Sequence, residues 1–192
     1  MQLMELSDQY LLRTPRLGLR RWKAADLEPC AAMNADPAVR EFFPSGLMTR
    51  EQSAEMIGRL EEHFDQYGYG FYALDVLDTG EFIGFTGLSH PTGLDAWFVP
   101  CVEIGWRLRR EAWGRGYATE AALVCLRHGW EVLGLQKIYA YTAMLNVRSA
   151  RVMQKIGMTL AGEFDHPKIE SGHPLQRHVV YAAFTSSGAV FG

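Results

Sequence analysis

The sequence predicts an α/β (α+β) domain built on one mixed sheet with helices on both faces. Two observations carry that expectation. Strand-like and helix-like runs follow one another in the order β-α-α-β-β-β-α-β-α-β-β, which mixes hairpins with crossovers. The chain has 192 residues, 48% hydrophobic and 21% charged, the length and mixture of one folded domain spanning 1–192. No internal repeat or low-complexity segment interrupts it.

Each element has its own local cause. Residues 1–10 and 186–192 read as frayed termini. Residues 16–22 (RLGLRRW) alternate like a strand, with Leu17 and Leu19 on one face and Arg16, Gly18 and Arg20 on the other. Residues 24–34 read as a short helix ended by Asp36-Pro37. Thr49 opens a second helix, since Thr49 and Gln52 have capping-box spacing. Ser53, Met56, Ile57, Leu60 and Phe64 then fall on one stripe, and Tyr67-Gly68 ends it. Strand-like runs follow at 71–76, 82–88 and 102–108, with Asp78-Thr79-Gly80 turning between the first two. A helix is expected over about 119–133, closed by Gly134, then a strand over 137–142 (KIYAYT). A helix over 147–156 stops at Gly157, and strands over 158–163 and 178–184 finish the chain.

Several function classes are disfavoured. The longest aliphatic run, residues 121–126, is far too short for a bilayer, and no apolar stretch follows a basic start, so neither a membrane anchor nor a signal peptide is expected. A net charge of −3 argues against a nucleic-acid partner. Cys30, Cys101 and Cys125 are an odd number with no CxxC pair, which points to buried, reduced thiols in a cytoplasm and away from a zinc site or disulfide framework.

The segment 102–122 (VEIGWRLRREAWGRGYATEAA) is the most informative. It reads strand, short basic loop, Gly-x-Gly, helix. Gly114 and Gly116 allow a sharp turn and close approach of a ligand to the backbone. The free N–H groups opening the following helix, at Ala118 and Thr119, make an anion site with the helix dipole. Arg107, Arg109, Arg110 and Arg115 are expected to surround it, which suits a ligand with several phosphates. The same residues also read as an ordinary glycine turn with a solvated arginine face. Neither a Walker A loop nor a dinucleotide fingerprint fits, because Gly-Lys-Ser/Thr and the third glycine are both missing.

The run Trp113-Gly114-Arg115-Gly116-Tyr117-Ala118-Thr119-Glu120-Ala121 resembles the acetyl-CoA pyrophosphate loop of the GCN5-related N-acetyltransferases (GNAT). More narrowly it resembles the branch holding the ribosomal-protein alanine and serine N-terminal acetyltransferases. Residues 12–20 (LRTPRLGLR) resemble that branch's first strand, 102–108 its central strand and 146–158 (NVRSARVMQKIGM) its downstream helix motif. Residues 165–181 resemble the C-terminal segment of some uncharacterised bacterial members. The resemblance covers about 11–184, with four motifs in order. It implies the GNAT fold, a mostly antiparallel sheet with a parallel, splayed strand pair. Two departures stand out: Trp113 replaces the usual Gln or Arg, and Met153 replaces a tyrosine that many members use as an acid.

By this resemblance acetyl-CoA is the cosubstrate, no metal is needed, and an amine of a protein N-terminus or small molecule is the acceptor. The alternative is a non-catalytic acyl-CoA-binding or sensor protein on the same fold. The cofactor contacts it implies are Trp106, Arg107, Leu108, Trp113, Gly114, Arg115, Gly116, Tyr117, Ala118, Thr119, Asn146 and Ser149. Glu103 is the candidate base, its other reading being a carboxylate paired with arginine or turned to solvent. The Leu108 N–H is the candidate oxyanion donor by analogy. Ser149 is the candidate partner of the leaving thiolate, sharing a helix face with Asn146, which also suits a helix N-cap. His166, His173 and His178 lack zinc spacing. They sit in or beside a loop expected to border the acceptor pocket, one histidine serving as auxiliary base, or else in an ordinary surface loop. Phe42, Phe43, Tyr67, Tyr69, Phe71, Tyr72 and Trp97 read as core, those near Pro44, Gly68 and Gly70 also as acceptor entrance. The chain is expected to act as a monomer or homodimer.

Overall fold

The computed structural model describes residues 9–185 and arranges their strands in one eight-stranded sheet. The elements are β1 (Leu12–Arg13), β2 (Leu17–Arg20), α1 (Leu27–Asn34), α2 (Pro37–Arg40), α3 (Arg50–Tyr67), β3 (Phe71–Val76), β4 (Glu81–Ser89), β5 (Glu103–Leu108), α4 (Tyr117–Glu131), β6 (Lys137–Ala143), α5 (Val147–Lys155), β7 (Thr159–Asp165) and β8 (Arg177–Phe184). The strand order is β1-β2-β3-β4-β5-β6-β8-β7. Every neighbouring pair is antiparallel except β5–β6, which is parallel.

Alternation along the strands places helices on both faces. Leu17, Leu19, Tyr72, Leu74, Ile104 and Leu108 pack with Ala121, Ala122 and Cys125 of α4. On the other side Trp22, Ala73 and Phe85 pack with Cys30 and Met33 of α1 and with Met56, Ile57 and Leu60 of α3. Ile83 belongs to the first cluster, whereas Phe82 and Phe85 belong to the second, because the β3–β4 register slips there. Such a bulge resets which face each side chain takes. A third cluster, Phe98, Tyr139, Phe164, Val180 and Ala182, fills the β6–β8–β7 end.

The parallel pair defines the slot on which function depends. β5 and β6 are in register only at Glu103↔Tyr139, supported by the Tyr139 N–H donating to Val102 O at 3.0 Å. Beyond that point the strands part. On its other edge β5 stays paired with β4 along its whole length, from Glu103 to Leu108. Arg109 N donates to Ile83 O at 3.0 Å, and ladder bonds alternate along an antiparallel strand. The N–H groups of Trp106 and Leu108 therefore point away from β4, into the opening.

Several sequence expectations change. Residues 1–8 and 186–192 lie outside the described residues, but Gln9 and Tyr10 are not frayed. Tyr10 donates to Asp75 at 3.2 Å, and its ring covers Gly18. The lead strand is a hairpin, β1–β2, because Thr14 N donates to Leu17 O and tightens the turn at Pro15. On the face opposite Leu17 and Leu19, Arg20 is buried and clasped by Asp26 at 2.7 Å and Asp75 at 2.6 Å, a pairing the sequence reading did not anticipate. Asp36-Pro37 starts a helix as well as ending one, since the Asp36 carboxylate accepts from Ala38 N and Pro37 takes the first turn of α2. α4 begins at Tyr117, two residues earlier than expected. Cys30 and Cys125 are buried, while Cys101 is only partly so. Among the described residues no helix is long and apolar enough to cross a membrane.

Candidate active site

The opening between β5 and β6 widens into a cavity of about 790 Å³. Its floor is β5 from Glu103 to Leu108 with Tyr141, Thr142 and Ala143 of β6. One wall is the N-terminus of α4, and the other is α5 from Arg148 to Lys155. Phe42, Phe43 and Pro44, beyond α2, close one end.

The α4 wall is built from backbone. Gly114 has φ +74° and Gly116 φ +79°, the left-handed region that glycine enters without steric cost. Gly116 caps α4, yet no side chain satisfies the cap, and the first intrahelical bond is Glu120 N to Gly116 O at 3.0 Å. The N–H groups of Tyr117, Ala118 and Thr119 thus have no partner within the helix, and all three residues line the cavity. A salt bridge at 2.6 Å and a hydrogen bond at 2.5 Å tie Glu120 of this turn to Arg16 and Thr14. Arg16 also stacks on Tyr117 at 4.7 Å.

The arginine ring expected around this loop is only partly present. Arg110 and Arg115 are exposed beside it. Arg109 turns away to Glu81 at 2.7 Å and Glu111 at 3.4 Å. The Arg107 side chain lies on the other face of the sheet, where its Nη1 donates to Asn34 Oδ1 at 2.9 Å. Strand alternation is the reason: Ile104 and Leu108 face α4, so Arg107 cannot. Trp113 fastens the loop instead. Its Nε1 donates to Leu108 O at 2.9 Å, and Arg148 of α5 stacks on its ring at 4.3 Å.

The α5 wall resolves one open reading. Asn146 is the N-cap: its Oδ1 accepts from Ser149 N at 3.2 Å, and its Nδ2 donates to Thr142 Oγ1 at 3.0 Å. Both Asn146 and Ser149 line the cavity. Met153 is buried against the core and also reaches the lining, so this position offers the cavity an apolar contact and no proton.

Glu103 sits where β5 and β6 meet. Burial pushes its carboxyl up to about 7, and a hydrogen bond from Tyr141 partly counters this. The Tyr141 hydroxyl is pushed above its ordinary range, first by burial and then by the Glu103 charge. Close by, His166 and His178 line the cavity with ring centroids 5.0 Å apart, and burial lowers both below the usual imidazole value. His173 is not part of the lining. Phe42, Phe43 and Phe71 reach the cavity. Tyr67 and Tyr69 instead stack with His63 and His90, and Trp97 packs on Phe98. Sequence reasoning missed Tyr141, Thr142 and Arg148. The KIYAYT strand pattern marks Tyr141 as a strand residue but not as the neighbour of Glu103. Among the described residues no group of three or more His, Cys, Asp or Glu is placed to hold a metal ion.

A parted parallel strand pair, a helix start that no side chain caps and a buried carboxyl thus share one cavity. The family described as "Acetyltransferase (GNAT) domain" matches residues 16–159, and the chain belongs to it. It is 35% identical over 123 residues to the uncharacterized protein YkkB of Bacillus subtilis, covering 64% of this chain and 69% of that one. It is 30% identical to an acetyltransferase structure from Agrobacterium tumefaciens, with a TM-score of 0.73 over 90% of this chain and 92% of that one. It also shares the fold of RimJ from Mycobacterium smegmatis, solved with CoA-disulfide, at 18% identity and a TM-score of 0.71 over 88% and 82% of the two chains.

Proposed function

We propose that this protein moves an acetyl group from acetyl-CoA directly to a primary amine of a protein N-terminus or small molecule. The observation that carries the reading is that one cavity holds both the unpartnered amides opening α4 and the raised carboxyl of Glu103. The free N–H groups from Gly114 to Thr119 receive the diphosphate, with Arg115 alongside. The N–H groups of Trp106 and Leu108, with the Arg107 main chain between them, offer a β-like edge for the pantetheine arm.

Glu103, directly or through a water, accepts a proton from the acceptor ammonium, leaving a neutral nitrogen to attack the thioester carbonyl carbon. As the C–N bond forms, the carbonyl oxygen becomes negative. The Leu108 N–H is held in place before that charge arrives, which is the condition for effective stabilisation. When the C–S bond breaks, the surplus proton on the new amide nitrogen passes through water to the departing sulfur, which Ser149 steadies with a hydroxyl hydrogen bond, since Met153 has no proton to donate. Three unpaired cysteines support placing the reaction in the cytoplasm.

The test is a turnover screen with acetyl-CoA against pooled peptides, polyamines and amino-sugar antibiotics, read as free thiol. Thiol release with at least one pool is expected, together with a rise in Tm on adding acetyl-CoA. A Tm rise without turnover in any pool favours a non-catalytic sensor, and no Tm rise overturns the reading.

A further inference from the structure

The guanidinium of Arg107 has no counter-charge. Among the described residues it forms no ion pair. The charged or titratable groups acting on it are Arg40, which repels it, and the Cys30 thiol. Nη1 donates to Asn34 Oδ1 at 2.9 Å and approaches Met56 Sδ at 3.5 Å, whereas Nε is buried with no hydrogen-bond partner at all. The group is stacked against Phe43 at 4.3 Å and Phe85 at 5.1 Å. Asn34 is itself held from behind, its Nδ2 donating to Ser53 Oγ at 3.1 Å, so the guanidinium is fixed from the α1–α3 side. A buried cation without an anion costs stability, and so does a buried donor without an acceptor. A purely structural tie between β5 and α1 would need neither.

Arg107 lines the cavity together with Met56, Leu60, Phe71 and Phe85, and it lies on the same face of β5 as Glu103 and Gly105. Gly105 confirms the face, since a Cβ there would stand 3.0 Å from the Phe71 ring. The face therefore presents a carboxyl, the Phe71 ring lying over Gly105, and a guanidinium. The Cα atoms at its two ends are about 13 Å apart, from four steps of about 3.3 Å. A zwitterion with its charges in the opposite order matches this floor.

Resting on the acetyltransferase reading above, we propose that the acceptor is an amine that also carries a carboxylate. Its amino end lies at Glu103 and its carboxylate is gripped by Arg107 between Phe43 and Phe85. The Arg107 fork suits a planar carboxylate, and the apolar rings strengthen the pairing by excluding water. Polyamines fit poorly, because their second cation would face Arg107 and Arg40.

The experiment uses the full chain and three matched series: ω-amino acids of four to eight carbons, the alkylamines of equal length, and the α,ω-diamines. One ω-amino acid is expected to exceed its alkylamine and diamine in kcat/KM by about tenfold or more, the scale of one charged hydrogen-bonded contact. In Arg107→Met that ratio should fall towards one, and Arg107→Lys should keep part of it. Equal or better use of alkylamines or diamines overturns the anion subsite while leaving acetyl transfer intact. A second readout needs no turnover: hexanoate should raise the Tm of the wild-type chain more than hexylamine does, and Arg107→Met should abolish the difference. If carboxylates give no such rise, the subsite is overturned whatever the turnover screen shows. A Tm rise from hexanoate with no thiol release from any amine keeps the subsite and sinks the acetyltransferase reading alone.

Discussion

The indole Nε1 of Trp113 donates to the carbonyl of Leu108 across 2.9 Å, closing the Gly114–Gly116 loop onto the end of the strand it leaves. This bond gives the aromatic residue at this position a structural role. The ring supplies the donor and at the same time a platform for Arg148. Trp113→Phe keeps much of the platform and deletes the donor, leaving the Leu108 carbonyl unpaired on that side. A loss of about 1 kcal/mol is expected, which for a chain of this size lowers Tm by roughly 2–4 °C, measured by calorimetry.

Glu103 gives two pH signatures with opposite consequences. Its folded pKa of about 7 lies above the ordinary carboxyl value, so ionising it costs folding stability. Its neutral form is fully favoured below the unfolded value of about 4.3. The penalty grows as pH rises from there to about 7, up to roughly 4 kcal/mol. Glu103→Gln should therefore be more stable than the wild-type chain at pH 8 and similar at pH 4 in denaturant titrations. Activity runs the other way, because the base works ionised: kcat/KM should climb through an apparent pKa near 7. In the variant that limb should vanish and the rate drop about a hundredfold.

Gly116→Val tests the loop. The backbone there has φ +79°, which a β-branched residue resists at roughly 1–2 kcal/mol. A Cβ would meet only Arg16 Nη2, at 3.5 Å, so the protein itself has room for it. The larger effect is on access to the amides behind it. Calorimetric titration with CoA should show affinity down by at least about tenfold, and unchanged affinity would remove this loop from the cofactor site.

Ser149 lines the cavity with its N–H already committed to Asn146, which leaves the hydroxyl as the group offered to a ligand. Ser149→Ala is expected to lower kcat about tenfold, the worth of one hydrogen bond to a charged sulfur, with acetyl-CoA Kd nearly unchanged. Stopped-flow and equilibrium binding separate the two, and an unaltered kcat dismisses the role.

What the residues revealed in advance was whatever depends on near neighbours in the chain. Gly114 and Gly116 mark a turn by their own backbone freedom, Thr49 and Gln52 mark a helix start, and the stripe from Ser53 to Phe64 marks one face of α3. What stayed hidden depends on pairing between distant segments. The burial of Arg20 could not be read locally because its two carboxylates arrive from residues 6 and 55 positions away. Arg107 read as part of a basic loop because its neighbours in sequence are basic, yet strand parity sends it to the opposite face. Tyr141 became a site residue only because β6 parts from β5 just past Tyr139, and no periodicity encodes where two strands separate. Pro37 was ambiguous for a different reason: the same ring that ends one helix is favourable at the first turn of the next.

The single register contact between Glu103 and Tyr139 makes the two halves of the sheet resemble a pair of tongs joined at one rivet. If one half swings against the other, displacement scales with distance from that joint. The rim bearing Trp113 and Arg148 then travels furthest, and Glu103 hardly moves. A guest would thus enter at the mouth by parting the Arg148–Trp113 stack, with the Glu103 end of the slot left in place.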